Sequence, residues 1–319
     1  MKSGVGEAVL VTGATGFIGR RLRRRDERAL VRVGQGWAGE VVGDLLDPTS
    51  LARACEGIKT IFHCAGYAHA FASSDRDVHW RVNFDGTRNL IEAARMAGVR
   101  RFILLSTVAA MGRLAHAAQP VDEDFSGEVV DAYGAAKRAA EMYLREASDK
   151  HGLEQVIIRP PLVYGRGDPG NMARMMRGIR AGWFPPLPET DNRRSLVHVD
   201  DLVAAMRLVA ERPQANGRTY IVAYSQAYSA REVYDAIRAA LAVPSAPIFR
   251  VPAWLVRAGG LAGDALGLLL RRSMPLNSEV VERLLGSACY SPARLERELG
   301  WRARIGLEDG LREMIGCVR

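Results

Sequence analysis

Tyr133 and Lys137 stand four residues apart in Asp131-Ala132-Tyr133-Gly134-Ala135-Ala136-Lys137, so on a helix they share one face. A phenol beside an ammonium can move a proton. The positive charge favours the phenolate and is expected to draw the tyrosine pKa from about 10 towards working pH. Such a tyrosine exchanges a proton with a substrate alcohol. Taken alone, the spacing is common by chance and fits an ordinary helix pair. Its context is more specific: one crossover earlier a strand, Arg101 to Leu105, runs into Ser106-Thr107. Hydroxyls at the C-terminal end of a strand stand where ligands bind in an open parallel sheet; the plain alternative is a pair of turn hydroxyls.

The other half of a reaction centre lies near the start of the chain. Ala8-Val9-Leu10-Val11 is apolar and partly β-branched and reads as a buried strand. Thr12-Gly13 ends it, Gly13, Gly16 and Gly19 follow at a G-x-x-G-x-x-G spacing, and Phe17-Ile18 open a helix. Unpaired N–H groups and the dipole at a helix start favour an anion, and glycine lets the backbone approach a pyrophosphate closely. A glycine pattern by itself is an ordinary turn, but the flanking strand and helix give it the context of a dinucleotide site. The helix is short, Arg20 to about Glu27, before a second strand, Ala29 to Val33. In the usual nucleotide-binding unit an acidic residue ending that strand holds the ribose hydroxyls, whereas an arginine suits a 2′-phosphate. Arg32 stands there, which favours NADP over NAD; a solvated strand end is the alternative.

The elements between these two motifs must bring them together. Val41-Val42 leads into Gly43-Asp44-Leu45, and Pro48 opens a helix over Thr49 to Glu56. Thr60 to His63 is the next strand, ending in the small residues Cys64-Ala65-Gly66, against which a cofactor can lie. Asn83 to Met96 has helical apolar spacing and is closed by Gly98; Gln155 to Ile158 is a strand leading into Arg159-Pro160-Pro161-Leu162-Val163-Tyr164-Gly165. This alternation predicts an α/β fold with a doubly wound parallel sheet over residues 1–165. From Arg166 prolines crowd a loop and helices dominate, so a smaller, mostly helical substrate lobe is expected over 166–319. The strand-like Arg218 to Ala223, within a segment near 195–224, is expected to return to the main sheet. His63 reads as structural, and His69 and His79 as surface or loop residues without metal partners.

Of the 319 residues, 48% are hydrophobic and 25% charged, as in a soluble globular protein. No secretory signal is visible. The most apolar late stretch, Val251 to Leu270, contains Arg257, Asp264 and several glycines and falls short of a membrane span. It reads as a buried helix or dimer face, with a membrane-surface helix as the alternative. Cys55, Cys64, Cys289 and Cys317 form no C-x-x-C pair, so reduced thiols, a cytoplasmic location and no metal site are expected. The net charge of +8 owes much to Arg20, Arg21, Arg23, Arg24, Arg25, Arg28 and Arg32. No aromatic-interleaved motif accompanies them, so they read as a solvated face that helps attract a phosphate rather than as a nucleic-acid patch.

With these motifs in hand, the chain resembles the extended short-chain dehydrogenases/reductases, and within them the UDP-glucose 4-epimerase-like proteins, including bacterial UDP-sugar 4-epimerases and 4-keto-sugar reductases. The markers are TGATGFIG, GDLLD, HCAG, NFDGT, LLST, YGAAK, RPPLVYG, RRSLVHVDD and RELGW, from Val9 to Trp301. The resemblance implies a Rossmann-type domain that binds NAD or NADP, a homodimer, and a UDP-sugar-like substrate. It implies that Gly13, Thr15, Gly16, Phe17 and Ile18 hold the pyrophosphate and that Asp44 and Leu45 contact the adenine. Ala65, Gly66, Asn83, Ser106 and Tyr164 would line or support the cofactor. Thr107, Tyr133 and Lys137 would be the catalytic set, with Lys137 also on the nicotinamide ribose. Asn171 and Arg194 would contact the substrate diphosphate, with Thr107 on the reacting oxygen. Thr107 replaces the commoner serine, and Ala110-Met111-Gly112 replaces a frequent V-Y-G.

The implied reaction is hydride exchange between NAD(P) and C4 of a nucleotide-diphosphate sugar, as an epimerase or a 4-keto-reductase. A hydroxysteroid- or flavanone-type alcohol dehydrogenase is the second reading, supported by the apolar Val251 to Leu270. A non-catalytic dinucleotide-sensing protein is the third; the presence of Thr107, Tyr133 and Lys137 together argues against it.

Overall fold

The computed structural model describes residues 8–67, 76–114, 119–243, 252–270, 274 and 277–316. The first half alternates β1 (Val9–Thr12), α1 (Gly19–Leu22), β2 (Arg28–Val31), β3 (Glu40–Val42), α2 (Pro48–Cys55) and β4 (Thr60–His63). It continues through α3 (Arg76–His79), a π-helical turn Trp80–Asp85, α4 (Gly86–Met96), β5 (Arg101–Leu105), α5 (Ala132–His151) and β6 (Glu154–Arg159). Then come β7 (Leu162–Tyr164), α6 (Asn171–Arg180), β8 (Leu196–His198), α7 (Val199–Glu211), β9 (Thr219–Ile221) and α8 (Ala230–Ala240). The chain ends in α9 (Ala253–Leu270), α10 (Ser278–Leu285), α11 (Ala293–Leu299) and α12 (Leu307–Ile315).

Seven strands form one parallel sheet in the order β3-β2-β1-β4-β5-β6-β9, a Rossmann-type doubly wound arrangement; β7 and β8 pair separately. The chain winds outward from β1 in one direction and from β4 in the other, so the crevice between the C-terminal ends of β1 and β4 is the topological switch point. Strand side chains alternate between the two faces. Leu10, Ile61, Phe102, Leu104 and Ile157 pack with α2, α4 and α5, whereas Val11, Phe62, Ile103, Val156 and Ile158 pack with α7 and α11. A third core joins Tyr164 to α6, α8 and α12.

Several sequence expectations shift. The helix expected from Asn83 begins at Arg76, and Asn83 sits in its π-helical turn. The second strand stops at Val31, which leaves Arg32 beyond it and exposed. Val251 to Leu270 does not read as a buried helix: on α9 Trp254, Leu261 and Leu268 are 65%, 65% and 83% exposed.

The helix expected over Arg20 to Glu27 is a single turn, because Glu27 is drawn under α7. There its carboxylate meets Arg207 in a two-pronged pair at 2.5 and 2.6 Å, and the Arg207 guanidinium lies 4.7 Å over the Phe62 ring. The neighbouring arginines are clasped too. Arg20 and Arg21 donate to the carbonyls of Gly167 and Arg166, Arg23 lies over Trp37, and Arg28 donates to the last carbonyls of α2. The early arginine run is therefore in part internal scaffolding rather than a uniformly solvated face. Removing one partner of a buried ion pair leaves an uncompensated charge. Arg207→Met should lower unfolding free energy by about 3 kcal/mol in denaturant titration, and adding Glu27→Gln should recover part of it; an unchanged midpoint for the single variant contradicts this role.

Candidate active site

Glycine allows three backbone segments to converge at the switch point. Gly13, just after β1, has φ +69°, and a Cβ there would lie 2.6 Å from the Ala65 nitrogen after β4. A Cβ on Gly19 would collide with the Gly13 carbonyl oxygen. The turn is closed by the Gly16 N–H donating to that carbonyl at 2.9 Å, with Thr15 and Gly16 exposed at its tip and Phe17 and Ile18 half-buried behind it. Because α1 is one turn long, its dipole is small, and anion binding here falls on the N–H groups of the turn. Asp44 and Leu45 follow β3 on the same edge of the sheet. Asp44 is exposed with its carboxylate accepting from Leu46 N–H at 2.8 Å, and Leu45 is buried.

The segment Ala65–Tyr67 is fixed by a chain of buried side chains. Thr12 Oγ1 bonds His63 Nδ1 at 2.7 Å, His63 Nε2 bonds Thr87 Oγ1 at 2.9 Å, and Thr87 Oγ1 donates to the Asn83 carbonyl at 2.7 Å. The Thr87 hydroxyl is spent as a donor, so we assign the proton to His63 Nε2. Burial pushes the His63 pKa down to about 3, with Lys137 acting in the same direction, so the ring is neutral. Asn83, fully buried, then grips the Tyr67 backbone through both amide atoms, at 2.8 and 3.0 Å. Asn83 thus supports the site by holding backbone.

Lys137 and Tyr133 project from the first turns of α5. Asp131 caps this helix, its carboxylate accepting from Gly134 N–H at 2.8 Å, and a Cβ on Gly134 would lie 2.6 Å from the Ala109 carbonyl oxygen. The helix start can therefore lie against the turn after β5, which brings the Tyr133 side chain near Thr107; the Thr107 hydroxyl oxygen itself accepts from Ala109 N–H at 3.2 Å. The Lys137 ammonium, 4% exposed, donates to the Leu105 carbonyl at 3.0 Å and has no carboxylate in ion-pair range among the described residues. Burial pulls its pKa down to about 8. A Cβ on Gly66 would meet Lys137 Nζ at 3.3 Å and Asn83 Oδ1 at 2.8 Å, so the small-residue strand end and the ammonium face each other.

The expected lowering of the tyrosine pKa is corrected by this geometry. Burial pushes Tyr133 up to about 12, offset by the neighbouring Thr107 hydroxyl and reinforced by the Asp131 carboxylate. The ammonium is committed to Leu105. The resting phenol is therefore protonated at neutral pH.

Two further assignments are corrected, those of Ser106 and Tyr164, and Asn171 lies outside the groove lining. The Ser106 hydroxyl is not in the crevice; it is buried and bonds Glu141 at 2.5 Å, and Glu141 in turn holds Arg159. Tyr164 is 1% exposed, donates to the Gly306 carbonyl at 3.0 Å and belongs to the third core. Asn171 opens α6 with an exposed side chain, while Asp168 caps the helix start at Gly170 and Ala173. Arg32 has no hydrogen-bond or ion-pair partner among the described residues. His79, expected at the surface, is buried with its ring edge-on between Tyr67 at 5.2 Å and Tyr133 at 5.8 Å. The i, i+4 relation of His79 to Asn83 was the signal available for it. His69 lies outside the described residues.

A groove of about 520 Å³ opens beside this centre. Ala109, Asp131, Arg194, Ser278, Glu282 and Tyr290 are among its lining residues. Arg194 is pinned by backbone bonds to Tyr228 and by a 3.0 Å bond from its guanidinium to the Gly286 carbonyl. Asn171 is not part of the wall. A second groove of about 530 Å³, between α2 and α4, contains none of these residues.

Comparison with known proteins agrees with this architecture. The NAD dependent epimerase/dehydratase family model matches residues 9–223. The chain is 29% identical to a UDP-glucose 4-epimerase of Vibrio cholerae, over 96% of this chain and 94% of that one. It is 38% identical to a ceramide reductase of Caulobacter vibrioides, over 63% of this chain and 60% of that one. A solved UDP-glucose 4-epimerase of Thermus thermophilus in complex with NAD superposes with a TM-score of 0.74 at 25% identity, covering 97% and 98% of the two chains. The chain belongs to the NAD dependent epimerase/dehydratase family, of the extended short-chain dehydrogenase/reductase type.

The residues around the switch point fit a nicotinamide dinucleotide: a cradle that any Cβ would fill, and a buried cation without a carboxylate partner. Gly66→Ala should weaken NAD(P)H binding by about tenfold or more, roughly 1.4 kcal/mol, in a fluorescence titration of protein verified as folded by its thermal melt. Wild-type affinity in that variant contradicts this placement.

Proposed function

We propose that this chain catalyses NAD(P)-dependent redox chemistry at C4 of a UDP-hexose-like sugar, as a 4-epimerase or a 4-keto-sugar reductase. The observation that carries the reading is that Thr107 and Tyr133 neighbour each other next to a groove lined by Ala109, Asp131 and Arg194. Bound nicotinamide supplies the hydride chemistry. Around it, Gly13, Thr15, Gly16, Phe17 and Ile18 would hold the pyrophosphate, Asp44 and Leu45 the adenosine end, and Ala65 and Gly66 the nicotinamide side. Lys137 would meet the ribose hydroxyls opposite Gly66. Thr107 hydrogen-bonds the C4 oxygen, and Tyr133 gives a proton to it or takes one from it. Arg194 suits a phosphate, because its planar fork bonds two oxygens. Arg32, exposed past β2, would suit a 2′-phosphate, which supports NADP as the cofactor.

With its pKa near 12, Tyr133 is in its proton-donating state at neutral pH. That is the state needed to reduce a 4-keto group; taking a proton from an alcohol needs the ionised form. The oxidative rate should therefore rise with pH across the neutral range while the reductive rate does not. A reductive rate that climbs with pH contradicts the donor role.

A second reading, reduction of a carbonyl on a long-chain lipid, is favoured by the exposed apolar face of α9, which packs on the groove-lining α10, and by the similarity to a ceramide reductase. Assays with UDP-glucose, a UDP-4-keto-hexose plus NADPH, and a long-chain ketolipid plus NADPH separate these. We expect turnover of a UDP-sugar and a higher melting temperature with UDP; turnover of the ketolipid alone, with no effect of UDP, contradicts the sugar reading. Tyr133→Phe should lower kcat on whichever substrate is used by about 100-fold or more, and near-normal turnover would remove the tyrosine from the chemistry.

A further inference from the structure

The helix α9 is built inside out. Five of its large apolar side chains, Trp254, Leu255, Leu261, Leu266 and Leu268, are exposed at 65%, 46%, 65%, 42% and 83%. On its packed side Gly260 is buried, and a Cβ there would lie 2.8 Å from Val281 Cγ2 and 3.2 Å from the Asn277 carbonyl. That glycine lets α10 come close, while the bulky side chains named above face outward. A helix recruited to a protein core has the opposite pattern.

The charges on the helix sort in the same way. Asp264, its one carboxylate, is turned to the start of α10, where both oxygens meet the Ser278 N–H at 3.3 Å. Arg257 is exposed. In the sequence the helix is immediately bracketed by Arg250, Arg271 and Arg272, giving four arginines against one aspartate over residues 250–272. No helix among the described residues is long and apolar enough to cross a membrane. An apolar face with tryptophan and leucine, an exposed Arg257, an arginine excess in the flanking sequence and no exposed carboxylate on the helix match the chemistry of an anionic bilayer surface, where apolar side chains enter the head-group boundary and cations meet lipid phosphates.

We propose that α9 docks this protein on the surface of an anionic phospholipid bilayer, with Trp254, Leu255, Leu261 and Leu268 in the lipid and Arg257 at the head groups. The docked helix carries α10 on its inner side, and Ser278 and Glu282 of α10 line the groove together with Asp131. The inference does not depend on which substrate the enzyme takes, and its readout is binding.

The test is co-sedimentation of the full chain with phosphatidylcholine vesicles, with and without phosphatidylglycerol, alongside the double variant Trp254→Glu/Leu261→Glu. Both positions are exposed, and an unchanged thermal melt verifies folding. The wild type should pellet with the phosphatidylglycerol vesicles and far less with phosphatidylcholine alone. The double variant should lose about tenfold or more in apparent affinity, and Arg257→Glu should weaken binding most at low salt. A wild type that stays in the supernatant with both vesicles overturns the proposal, as does a folded double variant that binds as well as the wild type. So does a wild-type dimer, seen by light scattering, that the double variant turns into a monomer while neither binds vesicles; the face would then be a subunit contact.

Discussion

The structure depends on keeping one positive charge where water is scarce. Lys137 is 4% exposed, its only hydrogen bond among those described runs to a main-chain carbonyl, and its pKa falls to about 8. Burying an ammonium without a carboxylate is unfavourable, and the fold tolerates it through surroundings that are otherwise fully bonded. Glu141, one turn along α5, does not neutralise the charge, because Ser106 and Arg159 hold it away. The Leu105 carbonyl that receives the ammonium ends a strand with all five residues buried. A buried cation held beside a crevice at the switch point of a parallel sheet is a place where an anionic or hydroxyl-rich ligand gains more than it would in water.

The rest of the site is arranged around that charge by close backbone approach. Gly13 against Ala65, Gly66 against Lys137 and Gly134 against Ala109 leave no room for a Cβ, so β1, β4 and the start of α5 reach the crevice together. The buried line Thr12–His63–Thr87–Asn83 then fixes the floor between them. His63 can serve only as a neutral link, since a second buried positive charge would oppose Lys137. The family model spans the nucleotide-binding strands and one side of the groove, Asp131 and Arg194 included, whereas Ser278, Glu282 and Tyr290 on the groove's other side come from beyond the matched residues 9–223.

Much of this was legible in the sequence. The strands β1, β4 and β5 are continuous apolar runs bounded by glycine or hydroxyl residues, and the Tyr133–Lys137 spacing fixes a shared helix face. What was not legible depends on contacts distant in sequence. Adjacent residues at a strand end point to opposite sides, so Ser106 and Thr107 could not both enter the crevice; only the position of Glu141 decides which one turns away. Tyr164 looked like a cleft residue until β7 was seen to pair with β8 and turn it into the third core. The short α1 follows from Glu27 meeting Arg207, a pair 180 residues apart. The tyrosine pKa went against expectation because proximity along a helix does not say where the ammonium is bonded.

The central claim is best tested on Lys137 itself. In protein carrying isotopically labelled lysine, with Lys137→Arg used to assign the signal, the Lys137 amine should titrate with a midpoint near 8. A midpoint near the ordinary lysine value of about 10.4 would mean the charge is solvated, and the buried centre described above would not exist.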